Sequence, residues 1–464
     1  MSKKTFKSMA DQALDHSSGV VIPQRAMSWA SLALLAMFTL PVVGHSKSTE
    51  NLSLSNALEK VKTFQATQGV WQTQAQIANA NKKQAKLWIN PNLSIEQSGF
   101  KNDQDKELSI GISQRLDLFG ERKAQQKLAE ISSNQVALKQ QIYQAQLELV
   151  VKYLWSQLAI LELERDVVLE QLKNSQENLQ ATEKRYQAGN IAQVDVDRIR
   201  INTLENERLF KQAELELKVA RQNLSQLWGE SSSLLSIDQN PKNLWPFDSI
   251  SNVERFQKDN LLEKSLQLQI LESKTNIDVL KAEARPNPTL NAGIKRTSSP
   301  DSSTENQVLL GVEIPLNIFN RNQYGVEISQ AKQQLLDRQQ QFYRSQNKIK
   351  VSHLLSELND LSSQFQQLQN IQIPLALRVQ QKTLQGFQAG KFAVTDVQQA
   401  TMQLQDVRLR RVQLLKTAWQ RAITAESLSL GVSPEQIMAA DALDQLNQNA
   451  WQDTQNLPVI GGGK

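Results

Sequence analysis

The chain has 464 residues, 40% of them hydrophobic and 21% charged, with 17 glycines, 12 prolines and a formal net charge of +5. There is no cysteine, and of the three histidines only His353 lies outside the first 46 residues; this excludes disulfides, thiolate metal sites, a cysteine nucleophile, a histidine triad and a lipid-bearing N-terminal cysteine, so no lipoprotein, enzyme or cofactor is expected. The charges alternate in sign along helical stretches, which makes the basic balance a poor argument for nucleic acid.

The N-terminus carries Lys3, Lys4, Lys7 and Arg25, then an apolar run over 29–40, then Pro41, Val42, Val43 and Gly44. That is the order of a secretory signal, expected over 1–46 with cleavage near Gly44 or Ser46. An apolar core of about twelve residues falls short of the roughly twenty that span a bilayer.

A first repeat is expected over 47–255. Residues 53–88 read as a helix with Leu54, Leu58 and Val61 on one face, stopped by Asn90 and Pro91. Two strands follow, about 92–97 and 107–116, with Leu93, Ile95, Leu108, Ile110 and Ile112 on one face and small or polar residues on the other. A helix over 121–184 has no proline or glycine and carries a coiled-coil seam through Leu147, Val151, Leu154, Leu158, Leu161, Val168 and Leu172. It would run roughly 90 Å. A glycine turn over 185–195 leads to a helix over 196–228, and 229–255 is a mixed segment.

A second repeat is expected over 256–432. A helix over 261–284 supplies the missing length of the first return leg. Strands follow at about 288–296 and 307–316, then a long helix over 325–385, a turn over 386–396 and a helix over 397–430. The sequence LDLFG at 116–120 answers LNIFN at 316–320, and the second seam, Val351, Leu354, Leu358, Leu361, Phe365 and Leu368, keeps the heptad phase at an offset of 200. The turns RYQAG and GFQAG, each trailing Asp-Val, are offset by 201. Pro374 has no counterpart and predicts a kink. The helix over 53–88 should complete the second return leg, and 433–464 should pair in space with the 231–259 insertion.

Four strands with one apolar face cannot seal a sheet in water, and in a bilayer only a closed barrel is permitted. Small barrels begin near eight strands, so several chains must pool them. Three chains give twelve strands, enough for an open lumen, and these arguments alone leave four chains open. Trp88 and Phe319 lie near the strand ends, where interfacial aromatics belong.

The signal, the two hairpins with Asn-Pro starts and LDLFGER or LNIFNRN exits, the paired glycine turns and the duplication near 200 residues together resemble the TolC family of outer-membrane efflux channels. The likeness covers essentially the whole chain after residue 46, and the run ISQRLDLFGERKAQ is similar to the heavy-metal cation branch served by resistance-nodulation-division pumps. The resemblance implies a mainly α fold with a small β part, two tandem repeats, and a homotrimeric twelve-stranded barrel in outer-membrane lipid joined to a helical periplasmic tunnel. It also implies two partners, an inner-membrane resistance-nodulation-division pump and a periplasmic adaptor, or membrane fusion, protein. Mapped by motif, the adaptor would dock at Arg185, Tyr186, Ala188, Gly189, Ala389 and Gly390, and Asp195 and Asp396 would sit where the tunnel narrows. A tyrosine and an arginine of the best-known gate pattern are replaced by Phe387 and Phe392, with Lys391 adjacent. The closed end is therefore expected to be held by apolar contact and by a partner of Lys391 such as Asp195.

Two rival readings are a periplasmic adaptor and a coiled-coil structural protein. Adaptors carry one helical hairpin with several small β-domains, and a structural rod has no use for two strand pairs.

Overall fold

The computed structural model describes residues 50–66, 68–100, 105–231, 235–237, 244–300 and 303–455. The predicted signal over 1–46 and the glycine tail lie outside the described residues. In chain order the first half holds β1 (Glu50–Asn51), α1 (Leu54–Ala66), α2 (Val70–Gln84), β2 (Asn92–Ser98), β3 (Lys106–Arg115), α3 (Glu121–Gln187) and α4 (Gln193–Gln226). Next come β4 (Leu235–Ser236), α5 (Phe247–Lys258), α6 (Leu261–Glu283), β5 (Thr289–Ser298) and β6 (Glu305–Glu313). The chain ends through α7 (Gln323–Gln367), a π turn (Leu368–Gln372), α8 (Ile373–Gln388), α9 (Val394–Leu430), α10 (Pro434–Met438) and α11 (Ala442–Gln455).

The alternating segments become one antiparallel sheet in the order β2-β3-β5-β6. Its register aligns Ile95, Ile110, Ile294 and Val308 in one row and Leu93, Ile112, Ala292 and Leu310 in another. Side chains alternate between faces with a period of two, so these rows share a face, and all the large apolar members are left exposed. The opposite face carries Ser94, Gly111 and Gly293 beside Glu96, Ser109, Lys295 and Gln307, and Leu309 is its apolar exception. On that face Lys295 Nζ lies 2.8 Å from Glu107.

The helices repeat the order of the sheet. Beside it α2 packs on α3, α3 on α6 and α6 on α7; towards the glycine turns α4 packs on α3, α3 on α9, and α9 on α7 and α8. Each level is thus an open row of four. The members at the ends of these rows carry stripes of exposed apolar side chains: Ile328, Leu335, Phe342 and Ile349 at seven-residue steps on α7, and Val194, Ile201, Leu204 and Leu215 on α4. A heptad stripe left in water is a seam without its second helix.

The core lies midway, where the two repeats meet. Trp155 of α3 and Trp419 of α9 stack edge to face at 6.5 Å, and their indole N–H groups donate to the Leu52 and Leu244 carbonyls at 3.2 and 2.7 Å. Three ion pairs also join α3 to α9: Lys152 with Glu426, Glu164 with Lys416 and Glu170 with Arg408, at 2.6, 2.6 and 2.8 Å.

The two repeats differ by one residue, and the π turn holds it. Val151, Leu158 and Val168 are buried, as are Val351, Leu358 and Leu368, 200 positions on. Beyond the π turn the buried pair is Ser175 and Ala376, offset by 201. Within the turn the Ile373 N–H donates to the Leu368 carbonyl, five residues back. Such a turn accommodates one extra residue while the helix on either side keeps its phase. Pro374, where a kink was expected, sits in the first turn of α8, where a missing N–H costs least.

Two expectations need correction. The helix over 53–88 is two helices, interrupted at Gly69, whose left-handed φ of 68° cannot continue an α-helix, and it unwinds after Gln84 ahead of Pro91. Helix α2 packs against α3 and α11 in place of completing the second return leg. Among the described residues the helices of the C-terminal segment and of the insertion take different main partners: α11 lies on α2 and α3, whereas α5 lies on α9.

Candidate functional site

The two glycine turns are built alike. At the first, the Gly189 N–H donates to Tyr186 O at 2.9 Å and the Asn190 N–H to Arg185 O at 3.0 Å; at the second, Gly390 donates to Phe387 O at 2.9 Å and Lys391 to Gly386 O at 2.8 Å. This double bond pattern is the Schellman motif, which needs a left-handed residue after the helix. Gly189 and Gly390 supply it with φ of 75° and 77°. A Cβ at either glycine would meet nothing within 4 Å. Ala188, Gly189, Ala389, Gly390 and Lys391 are all exposed, so both turns present small residues to an approaching partner. Arg185 and Tyr186 belong to the last turn of α3, not to the connection, because the helix runs three residues beyond its expected end.

The turns are joined within the chain. The Arg185 guanidinium lies 3.7 Å above the Phe387 ring centre and donates to the Phe387 carbonyl at 2.5 Å. Phe387 is only 4% exposed. That corrects its expected part in an apolar closure between chains, since its own chain already covers it. Phe392 is half exposed and lies over Gly386, where a Cβ would come within 2.2 Å of its ring. In the first repeat the residue at the Gly386 position is Arg185, and this substitution is what lets one turn reach across to the other.

The acidic candidates separate. Asp396, exposed in the first turn of α9, accepts the Ala393 N–H at 2.8 Å, which satisfies a free donor at the helix start. Asp195 lies 3.7 Å from Arg198, not beside Lys391 as expected; the helical spacing of three brings that arginine closer than any turn residue. Lys391 makes no ion pair within the chain among the described residues.

Just behind the turns the α3 to α4 seam becomes polar. Gln171 donates to Asn206, and Thr203 donates to Ser175 O at 3.2 Å and to Ile199 O at 3.0 Å. Thr182 and Phe387 close the same small cavity of about 30 Å³. Sequence reading missed this layer, although Ser175 and Thr182 continue the four and three spacing beyond Leu172 and Gln171 stands four residues before Ser175. Nearer the middle, burial raises the Tyr143 phenol to about 12; its hydroxyl donates to Asn447 at 2.7 Å and lies 3.1 Å from the Gln65 side-chain oxygen. No group of three or more His, Cys, Asp or Glu among the described residues is placed to hold a metal ion.

Comparison with known proteins follows the same lines. Residues 54–230 match the family described as outer membrane efflux protein. The cobalt-zinc-cadmium resistance protein CzcC of Cupriavidus metallidurans is 30% identical over 256 residues, 54% of this chain and 59% of that protein, so the match spans less than two thirds of the relative. Among solved structures, CusC superposes with a TM-score of 0.63 at 17% identity, covering 83% of this chain and 93% of the other. The channel OprN gives 0.64 at 15%, covering 82% and 90%. VceC of Vibrio cholerae gives 0.63 at 13%, covering 82% and 96%. At these identities the likeness to solved structures concerns the fold.

Proposed function

We propose that this chain belongs to the outer membrane efflux protein family, whose model matches residues 54–230, and that it is the passive exit duct of a tripartite export system. The observation that carries the reading is the open row of four, repeated at the sheet and at both helical levels. A row with two different unsatisfied ends closes head to tail into a ring. Three copies bring twelve strands, place the exposed apolar face towards lipid and enclose the polar face as a lumen.

In this ring the helices extend from the outer membrane into the periplasm. The exposed small-residue turns at Gly189 and Gly390 take the tip of a periplasmic adaptor, which links the duct to an inner-membrane pump of the resistance-nodulation-division type. Three copies of Asp396, with Asp195 behind them, put like charges around the axis, which favours cations over anions. The 30% likeness to a cobalt-zinc-cadmium resistance protein supports divalent heavy-metal cations as the cargo, carried as substrate and not held.

Expression followed by membrane fractionation tests the reading. A heat-resistant oligomer in outer membranes that conducts ions in planar bilayers is expected, together with loss of cobalt, zinc or cadmium tolerance on deletion in the native host. A soluble monomer that never inserts defeats the duct; a conducting oligomer whose loss leaves metal tolerance intact defeats only the cargo.

A further inference from the structure

Each of the four strands meets its helix through a short junction, and every junction carries a cation: Lys86 before β2, Arg122 after β3, Arg285 before β5 and Arg321 after β6. None of the four has a carboxylate within ion-pair distance among the described residues. Of the acids at this level, Glu313 ends β6 in register with Thr289, and the others are engaged elsewhere. Asp117 accepts the Glu121 and Arg122 backbone N–H groups at 2.8 and 3.0 Å, and Glu121 is paired with Arg115 at 2.8 Å. Burial and the neighbouring Glu121 charge both raise the pKa of Glu283. The level is left with an excess of positive charge.

Two of the guanidiniums are held against aromatic rings. Arg122 lies 4.0 Å above Trp88 and donates to the Lys86 carbonyl at 3.2 Å, and Arg285 lies 5.5 Å above Phe119. Stacking fixes the plane of a guanidinium while leaving most of its five N–H donors uncommitted, the arrangement that takes a phosphate in two parallel bonds. Leu87, Leu118, Leu316 and Phe319 stand exposed around them, Phe319 at 91%. Apolar and aromatic groups interleaved with unpaired cations suit a bilayer interface, where ring and charge each find a matching layer.

We propose that this junction is a collar for the phosphates of anionic phospholipids in the leaflet facing the helices. The proposal rests on reading the sheet as the membrane-spanning part. A second copy of the chain is the weaker occupant, because head-to-tail closure covers only the outer junctions at β2 and β6, whereas Arg285 and Phe119 stand at the two inner ones and Arg122 reaches from an inner one to Trp88 at the edge.

The test uses the full-length oligomer reconstituted in nanodiscs of phosphatidylethanolamine with or without phosphatidylglycerol, with retained lipid read by native mass spectrometry. Arg122→Gln and Arg285→Gln should each lower the preference for phosphatidylglycerol about fivefold, and the two combined about twenty-five-fold, and leave conductance in neutral lipid unchanged. Equal preference in parent and double variant overturns the collar, as does saturation by inorganic phosphate in detergent with no preference in lipid. An oligomer that enters no bilayer of either composition overturns the membrane reading itself, a separate result.

Discussion

Lys152 of α3 and Glu426 of α9 form an ion pair with Nζ at 2.6 and 2.8 Å from the two carboxylate oxygens, and their side chains are only 12% and 3% exposed. The pair joins the two repeats 274 positions apart in sequence. Asn252 of α5 adds a contact to the same carboxylate at 3.4 Å. Removing one partner strands the other charge in the core. Glu426→Gln should cost about 3 to 5 kcal/mol of stability, whereas Lys152→Met with Glu426→Leu should cost less. Thermal unfolding of both variants checks this, and equal losses would show that the charges are not coupled.

The Arg185 clasp on Phe387 should hold the two glycine turns together in the closed state. Arg185→Ala removes a cation-π contact and a charged hydrogen bond, worth about 1 to 3 kcal/mol. Single-channel recording should then find a larger mean conductance, and Phe387→Ala should act in the same direction. Unaltered conductance in both would mean that the clasp is only packing.

The π turn makes an unusual deletion harmless. Removing Gln372 and replacing Pro374 by Lys, the residue at the matching place in the first repeat, should leave an unbroken α-helix with the downstream seam in phase. Deleting Asp360 instead turns the segment between it and the π turn by about 100°. Circular dichroism and trypsin resistance should match the parent for the first variant and fall for the second.

Tyr143 gives the mid-level core a pH limit. Its folded-state pKa of about 12 lies above the ordinary phenol value, so above about pH 10 the unfolded chain releases a proton that the folded chain keeps. Stability contributed by the neutral phenol is complete below that pH and lost as pH rises towards 12. Tyr143→Phe should flatten the fall in melting temperature across this window and cost about 1 kcal/mol at neutral pH through its lost bond to Asn447. The same slope in parent and variant would assign the alkaline loss elsewhere.

Much of the architecture was legible because it follows from periodicity. Leu108, Ile110 and Ile112 announce a strand face, and Asn90-Pro91 and Pro286 to Pro288 announce where each helix gives way. The extra residue in the second repeat was also visible, as an offset of 200 at Leu158 and 201 at Gly189, yet only backbone geometry reveals that a π turn absorbs it. The clasp between Arg185 and Phe387 was not legible, since no local pattern links residues 202 positions apart. The docking of α11 on α3 was hidden for a similar reason: an amphipathic helix advertises that it will be buried, not against what.

The open row of four has a consequence for cells that make two versions of the chain. A copy altered at one end, at β6 and α7 for instance, can still join a growing assembly through its intact β2 and α2 side, but it offers the next copy no seat. In the three-copy ring proposed above, with equal synthesis of both versions and random assortment, roughly one assembly in eight would contain normal copies alone. A defect confined to one edge would therefore be inherited as a dominant trait, silencing far more exits than its own share of the protein.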